Sequence, residues 1–234
     1  MKRRFFICVF LVAGFILTSC KTFYQPQSVD FEDYRITATL PPDSMVRRLV
    51  QPYSDSVNKS MNDVIAQVES SLDKKQPEGS LNNVVADALI HMAEKKFQTK
   101  VDAAFVNYGG MRLTQIPSGP LTKGKVYELS PFDNLIVLLS IKGNQLQEFL
   151  NLVAGRGGWP VAGVRMEIRD KVATSVFIQG NLLDTAKTYT IATLDYVANG
   201  GDNASMLSAL PRQDVGYLFR DALLEYFSAQ TKEG

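Results

Sequence analysis

The sequence predicts a mixed α/β (α+β) domain whose sheets are at least partly antiparallel. Helix-period and strand-like segments intermix along the chain, and the strands follow one another at hairpin-like spacings. Past residue 43, about 190 residues of ordinary apolar content (45% hydrophobic over the whole chain) suffice for one sizeable core or two small ones. No internal repeat or low-complexity tract breaks this organisation.

The N-terminus reads first. Lys2, Arg3 and Arg4 precede an apolar run from Phe5 to Leu17, followed by Leu17-Thr18-Ser19-Cys20. That order is a secretory signal, and the run is short for a membrane span. Its last four residues resemble a bacterial lipobox, whose cysteine is lipidated and becomes the new N-terminus. An ordinary signal with an incidental cysteine and a retained membrane helix are the alternatives. The expected organisation is a signal peptide over 1–19, a lipidated tether over 20–43 and a domain over 44–234, held at the cell envelope (periplasm or outer-membrane surface) by the lipid on Cys20. Cys8 leaves with the signal, so no free thiol, disulfide or thiolate metal site is expected in the mature chain. The formal charge of +1 loses three cations with the signal, leaving about −2, which is no basic footprint for nucleic acid.

Within the domain, a short strand is expected over Tyr34–Leu40, before Pro41-Pro42. Asp43 or Ser44 then caps a helix with Val46, Leu49, Val50, Tyr53 and Val57 at helical spacing, kinked or divided at Pro52. Asn62–Ser70 alternates like a strand. Ser80 opens a helix with Leu81, Val84, Val85, Ala88, Leu89 and Met92 on one side. Val101–Val106 is a strand running into the turn Asn107-Tyr108-Gly109-Gly110. Leu135–Ile141 is an apolar run bounded by turn residues, hence a buried strand. Gln145–Val153 is helical, and strands follow at Val164–Arg169, Ser175–Gln179 and Tyr189–Leu194. After the long turn Asn199-Gly200-Gly201-Asp202, an amphipathic helix is expected over Asp214–Ala229, carrying Val215, Leu218, Phe219, Leu223 and Phe227.

Several chemistries lack their residues. The chain has one histidine, so a hydrolytic metal site of its own is not expected; Asp87 and His91 share a helix face as a hydrogen bond or a solvated pair. There is no G-x-x-x-x-G-K-[ST] phosphate loop. Gly155-Arg156-Gly157-Gly158 lacks the third glycine of a dinucleotide fingerprint and follows a helix. No Gly-x-Ser-x-Gly elbow accompanies His91.

Three loop segments remain. Asn107-Tyr108-Gly109-Gly110-Met111-Arg112 sets two glycines, which permit close backbone approach, between an amide and a guanidinium fork suited to carboxylate or phosphate. Ser130-Pro131-Phe132-Asp133-Asn134, expected to follow a short strand, offers an aromatic that faces either a cleft or the core. In Asp195–Asp202, Tyr196 ends a strand and the glycines turn Asp202 back toward it. Taken singly, each segment is also compatible with a plain turn.

Taken together, their order and spacing resemble the C-terminal domain of the 5′-nucleotidase family. Its members show Asn-x-Gly-Gly-x-Arg, Pro-Phe-x-Asn and an aromatic followed by Gly-Gly-Asp. Here these stand as Asn107, Gly109, Gly110 and Arg112; Pro131, Phe132 and Asn134; and Tyr196, Gly200, Gly201 and Asp202. Leu121–Tyr127 also matches the run into the second loop, and the resemblance extends from about Ser44 to Phe227. This chain departs from the pattern at Leu81-Asn82-Asn83 (family Leu-Gly-Asn), at Lys74 and Lys75 (arginines in some members) and at Asn203-Ala204 (often Gly followed by Tyr or Phe).

The resemblance implies a layered α/β/β/α architecture and a nucleotide- or nucleoside-binding specificity domain. Phe132 and Tyr196 would sandwich the base, Asn134 would bond its edge, Asp202 the ribose hydroxyls, and Arg112 would face the phosphate. It also implies no cofactor in this chain, with divalent metals on a separate metallophosphatase that acts as partner in nucleotide hydrolysis. Two alternatives stay open: a non-catalytic surface lipoprotein that binds nucleotides for scavenging, and a structural lipoprotein with a decayed pocket.

Overall fold

The computed structural model describes residues 43–233 without a break, together with Gln27, Ser28, 30–32, Thr37 and 40–41. Cys20, the signal and most of the strand expected over Tyr34–Leu40 lie outside the described residues. The chain divides into two units, residues 1–47 and 48–234, and every sheet and cavity considered below belongs to the second.

Helix α1 (Ser44–Met61) runs unbroken across Pro52. Of the two expected caps, Asp43 serves: its Oδ1 accepts the N–H groups of Met45 at 2.7 Å and Val46 at 3.1 Å. The helix buries no residue, so its apolar stripe of Val46, Leu49, Val50, Tyr53 and Val57 is exposed. No helix among the described residues is long and apolar enough to cross a membrane.

The remaining elements in order are β1 (Val64–Val68), β2 (Leu72–Asp73), α2 (Ser80–Phe97), β3 (Ala103–Phe105), β4 (Gln115–Ile116), β5 (Gly119–Thr122), α3 (Lys123–Leu129) and β6 (Leu135–Lys142). Then come α4 (Gly143–Gly155), β7 (Val161–Ala162), β8 (Val164–Arg169), β9 (Val172–Ile178), β10 (Asn181–Leu182), β11 (Thr188–Leu194), the helical turn α5 (Asp195–Ala198), β12 (Arg212–Leu218) and α6 (Phe219–Glu233). A five-stranded sheet in the order β12-β6-β11-β3-β7 forms the centre. Its β11–β3 pair is parallel and its other pairs are antiparallel.

This sheet is buried on both faces, which is why β6 reads as a continuous apolar run. Ile136 and Leu138 join one core with α2 and α6; Val137, Leu139 and Ile141 join a second with α4 and the β8–β10 sheet. β3 and β11 divide in the same way, with Ala104, Ala192 and Leu194 in the first core and Phe105 and Ile191 in the second. The mixed α/β class with mixed sheets is thus the observed one.

Two local expectations need correcting. The C-terminal helix begins at Phe219, not Asp214, because Arg212–Asp214 pair with Leu139–Val137 of β6 and Leu218 pairs with Leu135. Val215 and Leu218 therefore lie on a strand. Gly216, at φ +66°, carries the irregularity between these two stretches and donates its N–H to Asp214 Oδ1. The loop Ser130–Asn134 follows α3 rather than a strand, since Thr122 Oγ1 caps that helix by accepting from the Lys125 N–H at 3.3 Å.

Candidate functional site

Sheet order brings the three loops together. β3 and β11 run parallel, so Asn107–Arg112 and Asp195–Asp202 leave the sheet at the same end. β6 runs antiparallel to β11, so the segment before it, Ser130–Asn134, arrives at that end too.

In the first loop, Tyr108–Gly110 forms a 3-10 turn closed by the Gly110 N–H on the Asn107 carbonyl at 2.9 Å. The Asn107 side chain folds back over Gly110; a Cβ there would meet Asn107 Oδ1 at 2.6 Å. So placed, Asn107 is buried and donates Nδ2 to Asp202 Oδ2 at 2.6 Å. The third loop depends on a glycine as well. A Cβ on Gly201 would lie 2.5 Å from Tyr196 Cε1, so the phenol ring rests on bare backbone. Tyr196 itself sits just past the strand, in α5. Asp202 takes the left-handed conformation, at φ 52° and ψ 34°.

The loops are also bonded to each other. Asp195 Oδ1 accepts from the N–H groups of Leu135 at 3.1 Å and Tyr196 at 2.8 Å, joining the second loop to the third. The Arg112 N–H donates to the Leu129 carbonyl, joining the first to the second. Arg220, at the start of α6, donates to Asp133 Oδ1 at 2.6 Å and the Phe132 carbonyl at 3.3 Å, and lies 4.5 Å from the Tyr127 ring centroid. Arg212 ties Asn199 to the Ser208 carbonyl. Asp195, Arg212 and Arg220 carry no motif signal. Asp195 reaches Leu135 and Arg220 reaches the Phe132 loop, partners far from them in sequence.

The resulting cavity, of about 330 Å³, is lined by Asn107, Gly109, Gly110, Arg112, Phe132, Asn134, Tyr196 and Asp202. Phe132 is 40% exposed and Tyr196 47%, and they are the exposed aromatics of the described chain beyond α1. Neither packs in the core, which answers the alternative left open for Phe132. The Arg112 guanidinium lies 5.6 Å from the Phe132 ring centroid.

The upstream cations are already engaged. Lys74 donates to the Met111 carbonyl at 2.7 Å and sits 3.9 Å over the Tyr108 ring. Burial, and then repulsion from Arg112, holds its ammonium below the usual lysine range. Lys75 pairs with Asp73 at 3.3 Å. At the departure from Leu-Gly-Asn, Asn82 is buried and donates to the Lys75 carbonyl at 2.8 Å. A larger cavity of about 420 Å³ lies between the start of α2 and β8, with Trp159 in its wall and no exposed aromatic.

Among the described residues no three of His, Cys, Asp or Glu gather so as to hold a metal ion. His91 instead packs edge-on against Tyr226, with ring centroids 5.8 Å apart.

Residues 57–209 match the model of the 5′-nucleotidase C-terminal domain. The chain belongs to that family. It is 26% identical over 196 residues to protein UshA of Yersinia enterocolitica, covering 81% of this chain and 35% of that protein. To the 5′-nucleotidase of Vibrio cholerae it is 25% identical over 211 residues, covering 87% and 38% respectively. The solved 5′-nucleotidase precursor of Thermus thermophilus superposes with a TM-score of 0.72 at 26% identity, over 82% of this chain and 41% of that one. The chain thus spans little more than a third of the length of these two curated relatives. In this 5′-nucleotidase C-terminal domain the three motif loops meet at one end of the central sheet, around one cavity.

Proposed function

We propose that this chain is a base-binding specificity domain for nucleotides or nucleosides, with the base held between Phe132 and Tyr196. The observation that carries the reading is that Phe132 and Tyr196, both exposed, line the same cavity, beside the amide of Asn134, the carboxylate of Asp202 and the guanidinium of Arg112. Stacking on two aromatic faces contributes roughly 1–3 kcal/mol per base and tolerates different bases. Asp202 then meets the ribose hydroxyls, Asn134 the base edge and Arg112 the phosphate. Calorimetric titration with adenosine and AMP tests this. Phe132→Ala and Tyr196→Ala should each weaken binding by roughly 1–3 kcal/mol, and unchanged affinity in both variants removes the sandwich.

Hydrolysis itself falls to a separate metallophosphatase that brings the divalent metals, this domain presenting the base. The relatives named as 5′-nucleotidases, in Vibrio cholerae and Vibrio vulnificus, are more than twice as long as their matched segment, which supports that division of labour. Nucleotide hydrolysis by such a phosphatase should rise on adding this chain; an unaltered rate sinks the partnership while leaving base binding intact. The lipobox-like Leu17-Thr18-Ser19-Cys20 supports a cell-envelope site, anchored through Cys20.

A second reading, ligand capture without catalysis, draws on Lys74 and Lys75. Both are engaged within the fold, which leaves the phosphate side to Arg112. It predicts that adenosine binds about as tightly as AMP and that adding the chain leaves nucleotide hydrolysis unaltered.

A further inference from the structure

Asp202 is the acidic residue of the cavity, and its two oxygens face different partners. Oδ2 accepts from Asn107 at 2.6 Å, while Oδ1 faces the Arg156 guanidinium at 3.9 Å, beyond hydrogen-bond reach. Arg156 is absent from the cavity wall. It belongs to the Gly155-Arg156-Gly157-Gly158 turn that ends α4, a segment none of the three motifs includes.

That turn is firmly placed. The Arg156 N–H donates to the carbonyls of Leu152 and Val153, both at 3.2 Å, and Gly157 and Gly158 close on Ala154 and Val153. From the opposite side, Gln76 Nε2 donates to the carbonyls of Arg156 and Gly158, each at 2.8 Å. The backbone is thus pinned from two elements, and the guanidinium projects toward Asp202.

We propose that Arg156 is a positioning residue for Asp202, orienting Oδ1 toward the ribose hydroxyls of a bound nucleoside through this ion pair. Asp202 sits in a left-handed turn of backbone beside two glycines, where, among the described residues, Asn107 and Arg156 are the side chains facing its carboxylate. Asn107 fixes one oxygen, and the charge of Arg156 keeps the other turned away from alternative rotamers. A guanidinium beyond hydrogen-bond distance can do this without consuming the lone pairs that the sugar needs. The proposal rests on the base-binding reading above and adds to it how the sugar is recognised. A competing role, in which Arg156 serves only the C-terminal end of α4, predicts a loss of stability without any dependence on the sugar.

The test is calorimetric titration of the full chain with adenosine and with 2′,3′-dideoxyadenosine, which lacks both ribose hydroxyls. Arg156→Ala should weaken adenosine by about threefold, the scale of a part-exposed ion pair, and leave dideoxyadenosine unchanged. Arg156→Lys should keep most of the adenosine affinity, and Arg156→Gln serves if the alanine variant folds poorly. In an Asp202→Asn background, Arg156→Ala should have no further effect. Equal weakening of both probes, or none of either, overturns the proposal while the sandwich stands. If wild-type protein binds neither probe, the base-binding reading fails, and this proposal fails with it.

Discussion

Arg220 shows how much of the site rests on residues that never meet a ligand. Its side chain is 11% exposed and holds the loop that presents Phe132, through the Phe132 carbonyl and Asp133 Oδ1. Next to it, the Phe219 N–H donates to the Asn134 carbonyl at 2.9 Å, so the first residues of α6 grip the loop at three points. Arg220→Ala should release Phe132 from its orientation and weaken adenosine binding by up to roughly 1.5–3 kcal/mol, the range for hydrogen bonds to charged groups. Arg220→Lys, which keeps the charge but not the planar fork, should recover only part of it. Wild-type affinity in the alanine variant would leave Arg220 with no part in presenting the ring. The glycines act at the same scale by what they lack: Gly110 leaves room for Asn107, and Gly201 for Tyr196.

Among the elements, α1 tests most directly what a local signal specifies. Its cap is Asp43, whose carboxyl is held below the ordinary value of 3.8 by the backbone N–H of Val46 and then of Met45. A depressed carboxylate contributes above its unfolded value and loses that contribution as pH falls through the folded one. The cap is therefore intact at neutral pH and opens on acidification below the usual carboxylate range. The amide resonances of Met45 and Val46 should move together across that window and stay fixed in Asp43→Asn, whose amide oxygen still accepts. Resonances that titrate equally in both proteins would contradict the assignment. β12 is the opposite case. Its apolar residues fit a helical pattern, yet pairing with the open edge of β6 draws Arg212–Leu218 into the sheet, and Gly216 supplies the positive φ at the irregularity. A period read along one segment carries no information about an unpaired edge seventy-odd residues earlier.

At the scale of the whole molecule, the central sheet separates two cores and sets the three loops at one end. Placing the domain in the cell adds the N-terminus. If Cys20 carries the lipid, Cys20→Ala should abolish incorporation of labelled fatty acid and shift the chain from the membrane fraction to the soluble one. Labelling that survives the substitution would rule the anchor out. The eight cavity residues were legible as three short patterns because each pattern is contiguous, with glycines marking where backbone must bend or come close. The hold of Arg220 on the Phe132 loop was not, nor the bond from Leu135 to Asp195, since each joins segments that adjoin only in the fold.

By itself the sequence determined that Leu135–Ile141 is a strand buried on both faces, where the chain turns, and which polar and aromatic groups the turns carry. These are consequences of side-chain period and backbone freedom within a dozen residues. Tertiary structure alone decided that β12 is a strand, that Phe132 faces a cavity rather than the core, and that Asn107 closes on Asp202 from 95 residues away. Those outcomes depend on strand order and direction, which follow from how all the apolar faces are buried at once and not from any segment taken alone.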